Sequence, residues 1–371
     1  MSIIHWTEQH SNRCARWHSE SGAPEPRRLV TAEDTLRADA ALRLARSGAT
    51  LLWRGDYHNG RQLLSAMRRR LDRTRDIRDT DPATLFRHYR DARARRAEVL
   101  SRLVVVLDED FALDLRRAPD VRQACAEAYG PAHGPMLVAL TELLGVLGAH
   151  QWRVKGVEVP ALGARVHPHY GVFAPVRGEY VDLVARAPLP PDTALAVDLG
   201  TGTGVLAALL ARRGVGRVIA TDLSERAVTC ARDTVDRLGL TDRVEVRRSD
   251  LFPALRADLI VCNPPWLPGA PASPLDHGVY DPGSAMLHGY LDGLTAHLGP
   301  GGEGWLVLSD LAERMGLRPD GFLESTIDAA GLRVIDRLDT RPRHPRAADP
   351  TDPLHTARAA EIVSLWRLAP G

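Results

Sequence analysis

Apolar positions recur at three- and four-residue spacing from Thr31 to about Leu147, in segments such as AEDTLRADAALRLARS and NGRQLLSAMRRRL, which is the period of helices with one buried face. Thr31 and Asp34 are placed to cap the first of these helices. The run LVVVLDEDFALDL fits a short β-rich piece or a buried helical turn, because a compact apolar stretch carries no period to separate the two. Pro131, Gly134 and Pro135 interrupt the pattern before a further helix, PMLVALTELLGVLGA. The texture then changes to extended stretches rich in Val, Gly and Pro, RVKGVEVPALGARV and HYGVFAPV, which places a boundary between Gly148 and Lys155. Two domains are expected: a mainly helical one over 1–150, and a second over 151–371 with an extended lead-in to about residue 190.

From Leu195 onward, strand-like runs alternate with amphipathic helices. LAVDL, RVIATD, VEVRR, ADLIVCN and WLVLSDL are the strands, separated by segments such as GVLAALLARRG, SERAVTCARDTVDRLG and SAMLHGYLDGLTAHL. Alternation of this kind specifies an α/β domain whose mostly parallel sheet is covered on both faces. Two closing runs, LRVIDRLDT and AAEIVSLWRL, have only a loop rich in Pro, Arg and Asp between them, which predicts an antiparallel hairpin at the sheet edge.

Composition narrows the class. With 371 residues, 44% hydrophobic, 26% charged and a net charge of +1, the chain is long enough for two cores without disulfide support. Its four cysteines lie far apart with no C-x-x-C pair and no histidine at zinc spacing, so a reducing compartment and no metal are expected. The first twenty residues are polar and no apolar run is long enough to cross a bilayer, which points to a cytoplasmic protein with no membrane partner. Residues 1–100 hold 20 Arg against 13 Asp plus Glu, with part of the excess at Arg68, Arg69, Arg70, Arg73, Arg75 and Arg78. Asp72, Asp76 and Asp79 interleave with that run, which favours a solvated, ion-paired helix face over a phosphate-binding patch. The WRGDYHNG stretch (Trp53 to Gly60) fits a substrate contact and a capped turn before a helix equally well.

Two turns carry candidate chemistry. In AVDLGTGTGVLAALL, Gly200, Gly202 and Gly204 stand between a strand and a helix, where absent side chains admit a nucleotide-like ligand, and Asp198 precedes them. The G-x-G-x-G spacing differs from the G-x-G-x-x-G of dinucleotide binding. The next strand ends in Asp222, whose carboxylate can accept both hydroxyls of a ribose, and the third leads into Asp250, placed to hold an adenine amine. The alternative is that both acids cap the turns that follow them. The second turn is Asn263-Pro264-Pro265-Trp266, at the end of the fourth strand. The Asn263 side-chain oxygen and the Pro264 carbonyl can both accept from a planar NH₂ group, the prolines fix the turn, and Trp266 offers a flat apolar face. A rigid proline turn whose Trp fills core is the plainer alternative.

The glycine loop with its acids resembles the class I S-adenosylmethionine-dependent methyltransferases. That resemblance implies that Asp198 and Gly200, Thr201, Gly202 and Gly204 hold the methionine part of the cofactor, Asp222 with Leu223 the ribose, and Asp250 with Leu251 the adenine, while Asn263 borders the donor. The NPPW turn is similar to the [ND]-P-P-[YFW] signature of amino-methyltransferases, which act on exocyclic amines of bases or on glutamine amides in proteins. Downstream, Asp281, Pro282, Ala285, Met286, Gly289, Asp292, Gly293 and Leu294, then Gly301 and Gly302, resemble the E-P-x-x-A-L-x-G-G-x-D-G-L segment and late glycines of the release-factor glutamine methyltransferases of the HemK/PrmC type. Upstream, YGVFAPVRGEYVDLVA is similar to their P-R-P-E-T-E segment, which lies over the cofactor and implies that role for Phe173 and Pro175. Trp266 stands where Tyr is usual, and the layout also resembles the small-domain ribosomal RNA guanine methyltransferases. The implied activity is methyl transfer from S-adenosylmethionine to an exocyclic amine or amide nitrogen of a macromolecule, either an RNA base or a protein glutamine, with the first domain selecting the substrate. A small-molecule N-methyltransferase and a non-catalytic ribosome- or nucleic-acid-binding factor are the alternatives. His277 and Tyr280, in the loop after NPPW, are candidate substrate contacts beside Trp266.

Overall fold

The computed structural model describes residues 2–8, 10–72, 81–343 and 347–371. The chain divides into two compact units, 1–79 with 87–151 and 80–86 with 152–371.

In the first unit, strands β1 (Ile3–Glu8), β2 (Ser11–Trp17), β3 (Leu29–Ala32), β4 (Thr50–Trp53), β5 (Leu103–Leu107) and β6 (Met136–Ala139) form one mixed sheet in the order β1-β2-β6-β5-β4-β3. The helices are α1 (Ala38–Arg46), α2 (Tyr57–Asp72), most of α3 (Pro82–Leu100), α4 (Arg122–Tyr129) and most of α5 (Leu140–Lys155). Helical residues outnumber strand residues here, as expected, but the unit is built on a six-stranded sheet that the helical period did not announce. The physical reason lies in TLLW, LVVVL and MLVA, short apolar runs buried almost throughout. Strands covered on both faces show neither alternation nor a helical period. Thr31 accordingly lies in β3 and not at a helix cap, α1 starts after Arg37, and PMLVALTELLGVLGA divides into β6 and α5. Of the arginine run, Arg73, Arg75 and Arg78 lie outside the described residues, as do Asp76 and Asp79. Within them, Arg70 pairs with Asp39 at 2.6 Å and Asp72 with Arg96 at 2.8 Å.

The second unit opens with a small antiparallel pair, β7 (Val157–Val159) and β8 (Ala164–Val166), followed by α6 (Glu179–Arg186). Then come β9 (Leu195–Leu199), α7 (Val205–Arg212), β10 (Arg217–Asp222), α8 (Glu225–Arg237), β11 (Val244–Arg248), β12 (Ala257–Cys262), α9 (Ala285–His297) and β13 (Leu298–Ser309). The unit closes with α10 (Leu311–Arg314), α11 (Phe322–Ala329), β14 (Leu332–Thr340), α12 (His355–Ala360) and β15 (Val363–Pro370). Seven strands order as β11-β10-β9-β12-β13-β15-β14, parallel through β13 and antiparallel at β15 and β14, the edge hairpin that the sequence predicts. This is a Rossmann-like α/β fold. Successive strand residues face opposite layers: Ala196, Ala220 and Val261 pack under α6, α7 and α8, while Val197, Ile219 and Ile260 pack under α9 and α11. Because β9 has β10 on one side and β12 on the other, the chain leaves it in opposite directions, which opens a crevice at the carboxyl ends of these strands. No helix among the described residues is long and apolar enough to cross a membrane.

Candidate active site

Leu199, the last residue of β9, is in register with Thr221 of β10 and with Cys262 of β12. The residues that follow on the three strands, Gly200, Asp222 and Asn263, therefore stand abreast at the carboxyl edge. The turn after β9 runs through left-handed backbone at Gly200 (φ +67°) and Gly202 (φ +56°), conformations that cost an L-residue dearly. A Cβ on Gly200 would fall 2.6 Å from the Met286 side chain, whereas one on Gly202 would meet nothing within 4 Å. The first glycine is thus favoured by its left-handed backbone, with the flexible end of Met286 lying against it, and the second faces open space.

Asp198 is turned inward. Its Oδ2 accepts from Thr201 Oγ1 at 2.6 Å and from the Ala207 backbone N–H at 3.0 Å, which ties the glycine loop to the first turn of α7. Burial, with a smaller contribution from the Asp222 charge, pushes its carboxyl up to about 7. Thr201, itself buried, donates its backbone N–H to the Thr221 carbonyl at 2.8 Å. Asp222 accepts from Gly202 N at 3.0 Å with one oxygen and from Ser224 N at 2.9 Å with the other, and burial raises its carboxyl above the ordinary range. It therefore does shape the turn that follows, yet each oxygen keeps a lone pair for a ligand. Leu223 beside it is 59% exposed. Asp250 is exposed, and Leu251 adopts φ +55° with its carbonyl accepting from Thr221 Oγ1 at 3.2 Å. Leu251 also presses so closely on α9 that a Cβ on Gly289 would lie 2.6 Å from it.

At the end of β12, Asn263 Oδ1 accepts a hydrogen bond from the Trp266 indole Nε1 at 2.9 Å. Trp266 is half-buried and packs against the apolar layers on both sides of the sheet. The Arg177 guanidinium covers its ring at 4.9 Å from the centroid. Arg177 in turn pairs with Glu361 at 2.9 Å and Glu179 at 3.4 Å, and the buried Glu361 also accepts from Ser309 Oγ at 2.7 Å. Pro264 is buried and Pro265 half-buried.

The chain after the turn folds back on itself: Leu267 N donates to the Val279 carbonyl, and Asp281 N to the Leu267 carbonyl. This bridge corrects the expectation for Tyr280, which is only 7% exposed and fills the base of the loop, not its rim. His277 is exposed. Asp281 is buried and caps α9, accepting from the backbone N–H groups of Met286 and Leu287. The lead-in segment reaches this loop, since a Cβ on Gly278 would stand 2.8 Å from Phe173 Cβ; Phe173 remains partly exposed and Pro175 is buried. His167 bonds the Arg153 carbonyl, and His169 pairs with Asp233 at 3.1 Å, so both serve the fold. Arg177, Glu361 and Ser309 escape the sequence reading. Arg177 stands in the quoted lead-in segment, but nothing marks Glu361, 184 positions away, as its partner.

Residues 164–313 match the family described as Methyltransferase small domain. That stretch is similar to methyltransferase domains. Over 172 residues the chain is 36% identical to the release factor glutamine methyltransferase of Cereibacter sphaeroides, covering 43% of this chain and 60% of that protein. It is 32% identical over 200 residues to the release factor glutamine methyltransferase of Gloeobacter violaceus, covering 52% and 64%. It is 39% identical over 113 residues to the ribosomal protein uL3 glutamine methyltransferase of Bordetella pertussis, covering 29% and 37%. The chain thus spans less than two thirds of the length of each of these curated relatives. In the methyltransferase family that this stretch matches, the implied methyl donor is S-adenosylmethionine. Among the described residues, no group of three or more His, Cys, Asp or Glu side chains is arranged to hold a metal ion.

Proposed function

We propose that the protein is an S-adenosylmethionine-dependent N-methyltransferase acting in the cytoplasm on an amide nitrogen of a macromolecule, a glutamine side chain in a protein. The observation that carries this reading is the strand register that sets Gly200, Asp222 and Asn263 side by side. The edge fits the donor in chemistry as well as in position. Gly202 leaves open space where a side chain would intrude, Asp222 has spare acceptor capacity, and the buried Asp198 and half-buried Asp222 carboxyls, both with raised affinity for protons, suit a ligand that brings positive charge.

When bound, S-adenosylmethionine supplies a methyl group made electrophilic by its sulfonium. Gly200, Thr201, Gly202 and Gly204 would admit its methionine end, with Asp198 holding the loop in shape. Asp222 and Leu223 would hold the ribose, Asp250 and Leu251 the adenine, and Phe173 and Pro175 would lie over the site. Asn263 Oδ1 keeps one lone pair beyond the bond from Trp266, and the Pro264 carbonyl offers a second acceptor. Two acceptors that hold both hydrogens of an NH₂ group turn the nitrogen lone pair toward the methyl and favour the positive charge that develops there, so no strong general base is needed. His277, at the exposed side of the loop, would meet the substrate. The domain over 1–150, outside the matched stretch, would select it.

Transfer of labelled methyl to fractionated ribosomes, release factors, DNA and a small-molecule extract tests the reading. Label in protein that hydrolysis recovers as methylglutamine supports it. Label in RNA nucleotides would move the substrate to a base amine, and label confined to small molecules would sink the macromolecular reading.

A further inference from the structure

Trp266 holds the position at which a flat target would be expected to stack, yet its ring is already partly taken. Arg177 covers one side at 4.9 Å, and the residue packs against both apolar layers. What it presents to the site is its N–H, which reaches Asn263 Oδ1 at 2.9 Å. We propose that the Trp266 indole N–H, clamped by Arg177 and Glu361, sets the orientation of the Asn263 carboxamide, and that this, not stacking, is the aromatic residue's contribution to methyl transfer. The inference rests on the reading of Asn263 as acceptor for the target nitrogen.

An indole nitrogen can only donate, so the Asn263 atom facing it must be the oxygen, and the amide NH₂ is turned away. Without that partner the carboxamide could rotate by half a turn and point its own two hydrogens at the target NH₂, donor against donor. The indole thus selects the rotamer that accepts, takes one lone pair of Oδ1 and leaves the second for substrate. The clamp holds the indole still. Glu361 is fully buried, receives Ser309 Oγ at 2.7 Å and Arg177 Nη2 at 2.9 Å, and so fixes the guanidinium that lies on the ring. A tyrosine, the residue usual at this place in related turns, has no N–H to offer, so the device belongs to a Trp-containing turn. Arg177 and Glu361 are on this account positioning residues that act through Trp266.

The first measurement uses the full-length protein with ¹⁵N-labelled tryptophan, with the Trp266 indole signal identified by its loss in Trp266→Phe. Asn263→Ala is expected to shift that signal, and the double variant Arg177→Met with Glu361→Met, which removes both members of the Arg177–Glu361 pair together, to broaden it. An indole signal unmoved by Asn263→Ala overturns the proposal. The second measurement is kinetic, on the protein fraction that accepts label. Trp266→Phe keeps an aromatic ring but loses the N–H, and should lower kcat by about threefold to tenfold, the weight of one hydrogen bond, with KM unchanged. A stacking role predicts the reverse, a Phe variant close to wild type and a Trp266→Ala variant with raised KM, and that result overturns the proposal. The double clamp variant should lower kcat in the same direction; a lower melting temperature with kcat and indole signal unchanged would reduce the clamp to a structural part and overturn its assignment. Failure of the parent reading looks different: Asn263→Ala would then shift the indole signal yet leave turnover intact.

Discussion

Asp56 and Asp198 are each 1% exposed, one in each of the two units, and the chain treats them in opposite ways. Asp56 receives both Nε and Nη2 of Arg117, at 2.7 and 2.8 Å, Arg116 at 3.2 Å, and the backbone N–H groups of His58 and Asn59 at the start of α2. The Arg117 hydrogen bonds, more than any other contact, hold its carboxyl far below the usual carboxylate range. The partners of Asp198 are neutral, a hydroxyl and a backbone N–H, and burial pushes its carboxyl up to about 7. Asp222 beside it is raised as well. A buried acid that the fold has already supplied with cations serves the fold, and the WRGDYHNG stretch that contains Asp56 is a capped, ion-paired turn. A buried acid left without a cation marks a place that a cationic ligand completes.

If that contrast locates function, the largest effects belong at the carboxyl edge of the seven-stranded sheet. Asn263→Ala should leave cofactor affinity nearly intact and slow single-turnover methyl transfer roughly a hundredfold, about 3 kcal/mol, the scale for removing one group that acts in the transition state. Rapid-quench measurement with labelled donor decides it, and a wild-type rate would point to oxygen or carbon methylation by other residues. Asp222→Ala should weaken S-adenosylmethionine by about 1 to 3 kcal/mol, since it removes an acceptor for ribose hydroxyls in a half-buried site. Calorimetry that finds undiminished affinity would place the ribose elsewhere.

Asp198 provides a subtler test through pH. Its folded value lies above the ordinary 3.8, so between about 4 and 7 the folded chain binds more protons than the unfolded one. Stability is then expected to fall as pH rises through that window. Asp198→Asn, which can keep the acceptor for Thr201 and Ala207, should flatten the slope in melting temperature against pH. In the wild type the affinity for S-adenosylmethionine should rise over the same window as the acid ionises. A melting curve with the same slope in both proteins would show that Asp198 does not titrate there.

How far all this could be read from sequence depended on whether a signal was local. The parallel sheet was legible because strands and helices alternate from Leu195, and Asp222 and Asn263 because the first ends a strand and the second directly follows one. The six-stranded sheet was not, since TLLW and MLVA are four residues long and buried throughout. Tyr280 looked like a rim residue because an aromatic in a proline-rich loop gives no hint of the bridge to Leu267 that buries it. The orientation of Asp198 was equally hidden, as binding a ligand and closing a loop ask for the same carboxylate. The clamp on Trp266 joins positions 177, 266 and 361, and no local pattern can announce a contact over that distance.

The smallest functional effect is expected at Asp56. Asp56→Asn keeps an acceptor for the N–H groups that start α2 but deletes the charge that Arg116 and Arg117 share, so the first unit should melt at lower temperature. The sign of the pH dependence is opposite to that of Asp198. A carboxyl held below its ordinary value stabilises the fold at neutral pH, and that contribution is lost as pH falls below the ordinary carboxylate range toward the folded value. The wild type should therefore lose stability on acidification in a way that the Asn variant does not, visible as convergence of the two melting temperatures at low pH. Cofactor affinity and single-turnover rate on a protein fraction should be those of wild type at neutral pH, because nothing that touches donor or target has changed. Should Asp56→Asn weaken the cofactor as much as Asp222→Ala does, a satisfied acid and an unsatisfied one would be equally tied to function, and the contrast between the two regions would no longer identify the site.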